Sequence, residues 1–205
     1  MKISLSQFMA FTARTTTAAK MKQVLKIKNN DYTFAGDYWM GLRNRLHQVL
    51  QGKMTFTQLE QYANSVEEDR GKRKNYISST SKLKAFFNHQ EFTYFDAPKS
   101  QWIPKDQSII IKTSPEFGLE MNDVKYLIKV FYRVKKKDEQ LTKRNIGSSL
   151  VLMDNSHYSS RPVGSIPAIL NLQTNKLVTI NDIKKSSHEI LNGDIAMFKA
   201  LWEVV

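Results

Sequence analysis

The chain has 205 residues, with 31 Lys+Arg against 19 Asp+Glu, a formal net charge of +12 and no cysteine. Without cysteine there is no disulfide framework, thiolate nucleophile or Cys-ligated zinc or iron–sulfur centre. A 41% hydrophobic fraction and 24% charge predict a folded chain, and the positive excess makes nucleic acid or an acidic protein the expected partner class.

The amino terminus, Met1-Lys-Ile-Ser-Leu-Ser-Gln-Phe-Met-Ala, lacks the apolar run of a signal peptide. No stretch approaches the roughly 20 apolar residues of a membrane span. The expected location is therefore cytoplasmic.

Residues 4–28 place Phe8, Phe11, Ala18, Met21, Val24 and Leu25 at helical spacings and predict a first helix. Thr15-Thr16-Thr17 weakens its middle, because three β-branched residues in succession disfavour helix. Its polar positions carry Arg14, Lys20, Lys22, Lys26 and Lys28, and no acid precedes Asp31. These five are the first candidate nucleic-acid-binding residues, although a solvated helix face of one sign has the same pattern.

Asp37 is positioned to cap a second helix whose apolar stripe is Trp39, Leu42, Leu46, Val49 and Leu50, with Gly52 placed to end it. Arg43 and Arg45 beside that stripe join the candidate set. Thr55 and Gln58 have the spacing of a capping box and predict a third helix burying Leu59, Tyr62, Ala63 and Val66. Helical spacing continues through Tyr76, Leu83 and Phe87 as a long helix broken at Gly71, where the chain turns from acidic to basic. Arg70, Lys72, Arg73 and Lys74 complete the candidate basic residues. The aromatic-rich connection that follows, with Phe92, Tyr94, Phe95 and Trp102, is expected to cover the core.

The strongest local signal is a β-hairpin across 108–133 turning at Asn122-Asp123, a dipeptide that tolerates positive φ. That turn sets Met121 opposite Val124, Leu119 opposite Tyr126 and Phe117 opposite Ile128 on one core face. It sets Glu120 opposite Lys125 and Glu116 opposite Lys129 on the other face, two opposite-charge pairs that support the register. Thr142 then caps a helix with Ile146, Leu150 and Met153. A second hairpin joins Ile166 to Ile180 through a turn near Thr174-Asn175, and Asn192-Gly-Asp introduces a terminal helix.

The expected fold is α+β: N-terminal helices packed with an antiparallel sheet built from two β-hairpins, each followed by a helix. Residues 1–205 are read as a single compact unit, with a helical half over about 1–90 and a hairpin half over about 91–205. The hairpin containing Pro115-Glu116, Gly118-Leu119 and Leu127-Ile-Lys-Val-Phe-Tyr132 resembles a motif in an uncharacterised family of bacterial proteins of similar length. The likeness extends from the first helix to the terminal Ala200-Leu-Trp helix. No activity is established for that family, so the resemblance implies no functional residue.

Signals for chemistry are weak. No glycine loop has a nucleotide-binding spacing, and no Gly-x-Ser-x-Gly elbow occurs. His47, His89, His157 and His188 are scattered, outside any His-Glu-x-x-His pattern. The triplets Asp123-Val-Lys125 and Asp182-Ile-Lys184 lack the further carboxylates that a metal-dependent nuclease needs; Asn171 and Gln173 stand where an acid could have completed the second. The expectation is a non-enzymatic protein, without metal or cofactor, that binds nucleic acid or another acidic partner. The alternatives are a divalent-metal nuclease and a neutral scaffolding subunit.

Overall fold

A computed structural model describes residues 1–29, 38–69, 71–88, 90–134 and 139–205. Asp37 with its expected cap, Arg70 and His89 lie outside them. Among the described residues the architecture is α+β, with seven α-helices and two mixed sheets.

The hairpin is strands β5 (Phe117–Met121) and β6 (Val124–Phe131). Its register pairs Phe117 with Ile128, Leu119 with Tyr126, Glu120 with Lys125 and Met121 with Val124. Asn122 and Asp123 have φ of 49° and 60°, the positive values of a type I′ turn, whose twist matches that of the flanking strands. The second hairpin is β8 (Ile166–Asn171) and β9 (Lys176–Thr179), turning through Asn175 at φ 53°.

The two hairpins share one five-stranded sheet, and their joint is parallel where an all-antiparallel sheet was expected. β6 pairs with β8 over six residue pairs, from Tyr126–Ile166 to Phe131–Asn171. The helix between them, α6 (Lys143–Asp154), is the crossover that parallel neighbours require. β2 (Thr93–Phe95) adds antiparallel to β5, giving the order β2-β5-β6-β8-β9. At that edge the Phe95 ring lies over Gly118, where a Cβ would come within 2.1 Å of the ring and displace it.

A four-stranded sheet sits beside it in the order β1-β4-β3-β7, made of β1 (Lys2–Ser4), β3 (Ser100–Trp102), β4 (Ile110–Lys112) and β7 (His157–Tyr158). These strands are two or three residues long, too short for alternation to reveal them in the sequence.

The first helix is two helices, α1 (Leu5–Thr12) and α2 (Thr17–Lys28). The threonine run breaks it, because Thr16 is extended and its hydroxyl accepts from the Ala19 N–H as the cap of α2. α3 (Met40–Leu50) ends with Gly52 at φ 72°. α4 (Phe56–Ser65) starts with the expected Thr55–Gln58 capping box. The interruption at Gly71 is complete: α5 (Lys72–Phe87) begins there afresh, with Gly71 left-handed at φ 76°. The terminal helix α7 (Ser187–Val204) starts five residues before Asn192, which lies inside it.

Alternate residues of the five-stranded sheet enter two cores. Phe117, Leu119, Ile128, Val130, Ala168 and Leu170 face α3, α4 and α5, where Trp39 stacks between Tyr76 and Tyr132 with centroids 5.6 and 5.4 Å away. Phe131, Ile169 and Val178 face the opposite core, built with α1, α2, α6 and α7. The aromatic connection covers these cores as expected, with Phe92 and Tyr94 packed on the first and Trp102 on the second.

Ile128 is fully buried at the centre of the hairpin. Ile128→Ala should cost about 2–5 kcal/mol by lost burial plus cavity formation. The check is the urea unfolding midpoint, and an unchanged midpoint would remove this face from the core.

Candidate functional site

α2 buries Val24 and Ile27 in the core it shares with α7. Two lysines cross the seam between these helices. Lys20 places its Nζ 5.1 Å from the Phe11 ring centroid and 3.6 Å from Met197 Sδ. Lys28 donates to the Trp202 carbonyl at 2.9 Å, in the last turn of α7, where carbonyls lack intrahelical partners and the helix dipole favours a cation. Lys22 and Lys26 are exposed, and among the described residues neither has an ion-pair partner.

The other basic residues of the candidate set are placed elsewhere. Arg14 is paired with Glu139, whose fully buried carboxylate also pairs with Arg133. The segment carrying Glu139 is tied down by the amide side chains of Asn171 and Gln173. Asn171 donates to the Leu141 carbonyl at 3.1 Å and Gln173 to the Glu139 carbonyl at 3.0 Å. Arg14 is thus a structural cation, not an exposed one.

Arg43 and Arg45 lie half-buried on α3, and the Arg45 guanidinium sits 3.4 Å over the Tyr62 ring. Lys72, Arg73 and Lys74 form the first turn of α5; Arg73 Nε donates to the Val66 carbonyl at 2.7 Å and ties that turn to the end of α4. Because α3 and α5 cover one face of the five-stranded sheet while α2 packs in the core on the other, the set falls into two groups on opposite sides. It does not form one continuous band.

The carboxylates are dispersed. Among the described residues no three His, Asp or Glu side chains gather into a group that could hold a metal ion. Asp182 accepts from the Thr179 N–H and hydroxyl at 2.8 and 2.7 Å, which lowers its pKa and makes it a cap. Glu116 pairs with Lys129 at 3.1 Å and accepts from the Tyr132 hydroxyl at 2.6 Å. The Glu116 and Lys129 side chains are 5% and 9% exposed, so the pair expected on an open strand face is buried instead.

Met21 and Leu25, which share the helical spacing of the first helix with Val24, do not share its burial. They are 40% and 42% exposed, because the break at Thr16 resets the helix and Val24 with Ile27 defines its inner face. At 100° per residue, Ala18, Met21 and Leu25 form an outer stripe with Lys28 on one flank and Lys22 and Lys26 on the other. Counting apolar residues on α2 reveals the excess: Ala18, Met21, Val24, Leu25 and Ile27 span more arc than one buried face takes up.

Comparison with family models, curated proteins and solved structures finds no match. Among the described residues no helix is long and apolar enough to cross a membrane.

Glu139→Gln would leave Arg14 and Arg133 facing a neutral amide. The cost should be about 3 kcal/mol, the lower end for breaking a buried pair, since both arginine side chains are partly exposed. Chemical denaturation measures it, and a loss below about 1 kcal/mol would show that the triad is not structural.

His47 lies beside Phe117 and Tyr94, with ring centroids 5.8 and 6.4 Å away. Burial lowers its pKa below the ordinary 6.5, the nearby Glu116 opposing and Arg43 reinforcing that shift. The unfolded chain therefore binds the proton more readily, so this contribution to stability is present above pH 6.5 and is lost as pH falls through the lowered value. His47→Gln should flatten the unfolding midpoint against pH in that window; an unaltered profile would mean that His47 is not the group responsible.

Proposed function

We propose that the protein binds a polyanionic partner, nucleic acid or an acidic protein, through the outer face of α2 and does no chemistry of its own. The observation that carries this reading is the pair Lys22 and Lys26, exposed and without an ion-pair partner among the described residues, on a helix that contains no acid. A net charge of +12 supplies the long-range attraction. Lys28 extends the positive face to the end of α7. Lys74 and its neighbours on α5 form a second basic area on the far side of the molecule, and Arg14 takes no part.

The test is the salt dependence of binding to a duplex oligonucleotide and to poly-glutamate. Each phosphate neutralised on duplex DNA contributes about −0.9 to the slope of log K against log salt. Lys22→Gln with Lys26→Gln should therefore weaken binding and make the slope shallower by about two. Arg14→Ala should lower the unfolding midpoint and leave the slope unchanged. Undetectable binding of both polyanions at about 50 mM salt, where non-specific contacts are strong, would end this reading. The same mixtures with Mg²⁺ or Mn²⁺ should leave the oligonucleotide intact, and metal-dependent cleavage lost in Asp182→Asn or Glu116→Gln protein whose circular dichroism and unfolding midpoint match wild type would establish the nuclease alternative.

A further inference from the structure

Met21, Leu25, Met197 and Val204 are four of the six exposed large hydrophobic residues among the described residues, and all four lie on α2 and α7. The contacts of Lys20 with Met197 and of Lys28 with Trp202 show the two helices running side by side in the same direction. On α7 the exposed residues Gly193, Met197, Ala200 and Val204 recur at helical spacing, which gives that helix an outer apolar stripe of its own. The combined surface has two aliphatic stripes, lysines 20 and 28 along the seam, and Lys22 and Lys26 along the outer rim of α2, while the exposed acids of α7, Glu189 and Glu203, sit at the two ends of that helix.

We propose that this surface docks an acidic amphipathic helix of a partner protein, a proposal that rests on the polyanion-binding reading of α2 and specifies its ligand. A helix laid along two neighbouring helices presents residues at i, i+3, i+4 and i+7 to the stripes. Acidic residues on its flanks would neutralise Lys22, Lys26 and Lys28. Methionine suits such a surface, since its unbranched side chain adapts to the shape opposite.

Nucleic acid fits less well. The six exposed large hydrophobics include no aromatic side chain, and single-strand binding surfaces stack bases on aromatics. Phosphate contacts, for their part, make no use of aliphatic stripes. A second copy of this chain is disfavoured by charge, because α2 would bring lysines against lysines. The length is adequate: α2 has 12 residues, about 18 Å at 1.5 Å per residue, so a partner helix of about three turns covers it.

The experiment titrates the full chain with a labelled synthetic helix of about 14 residues, leucines at i, i+3, i+4 and i+7 and glutamates between. A peptide of the same composition with the stripe scrambled, a single-stranded oligonucleotide and phosphatidylserine vesicles are the comparisons. The amphipathic peptide should bind about tenfold tighter than the scrambled one, the equivalent of about 1.4 kcal/mol. Met21→Gln with Leu25→Gln should remove that advantage and leave oligonucleotide affinity unchanged. Both side chains are exposed, so circular dichroism and the unfolding midpoint should match wild type. Equal binding of the two peptides, no effect of the double substitution, or tighter binding of oligonucleotide or vesicles would overturn the acidic-helix proposal while leaving polyanion binding in place. Failure of every anionic ligand to bind at about 50 mM salt would remove both.

Discussion

Strand β6 has to be buried from both sides. Ile128 and Val130 close the core under α3, α4 and α5, while Phe131 closes the core shared with α1, α2, α6 and α7. A parallel neighbour makes this possible, since the β6–α6–β8 crossover places a helix over the face that an isolated hairpin would leave in water. Lys129 is caught in that burial, and an unpaired ammonium there would cost several kcal/mol. Glu116 meets it at 3.1 Å and is itself held by the Tyr132 hydroxyl. Such a pair gives little net stability compared with an apolar replacement, yet removing either partner is expensive. The Pro-Glu-x-Gly-Leu pattern therefore has a structural explanation, with Glu116 neutralising Lys129 and Gly118 admitting the Phe95 ring.

Burial of both faces also decides which positive charges remain available. Helices must cover each side of the sheet, so the candidate cations are divided between opposite surfaces. Several are then drawn into local structure: Arg14 by Glu139, Arg45 by the Tyr62 ring and Arg73 by the Val66 carbonyl. Lys22 and Lys26 escape because the packing of α2 needs only Val24 and Ile27. A net charge is a property of composition, whereas a usable charge is one that folding has left unneutralised.

The sequence was most legible where local rules act alone. The Asn122-Asp123 turn, alternation along Phe117–Met121 and the opposed charges defined the register of the first hairpin, but not its extent, since Ile110–Lys112 belongs to the four-stranded sheet. Thr55 with Gln58 and Thr142 marked helix starts for the same reason, since a cap is a short-range hydrogen bond. What escaped depends on distant segments. The parallel β6–β8 joint, the pairing of Lys2–Ser4 with Ile110–Lys112 and the burial of Glu139 need partners far along the chain. At the candidate site the lysines were legible as a run of one sign. Exposure of Met21 and Leu25 was not, because periodicity shows that a helix has an apolar face without showing which of two adjacent faces the core will take.

α2 is left in a condition that a helix does not reach through its own stability. Lys22 and Lys26 are a like-charge pair at i, i+4, which is mildly destabilising, and Met21 and Leu25 keep apolar surface in water beside them. Tertiary contacts hold the helix in spite of this, through Val24 and Ile27 inside, the Thr16 cap at its start and Lys28 on the end of α7. An anionic and partly apolar ligand would relieve both unfavourable terms together, screening the lysines while covering the methionine and leucine. A purely anionic ligand would relieve the first alone. That difference is why the chemistry of the exposed residues between the lysines, and not the count of lysines, selects among the possible partners.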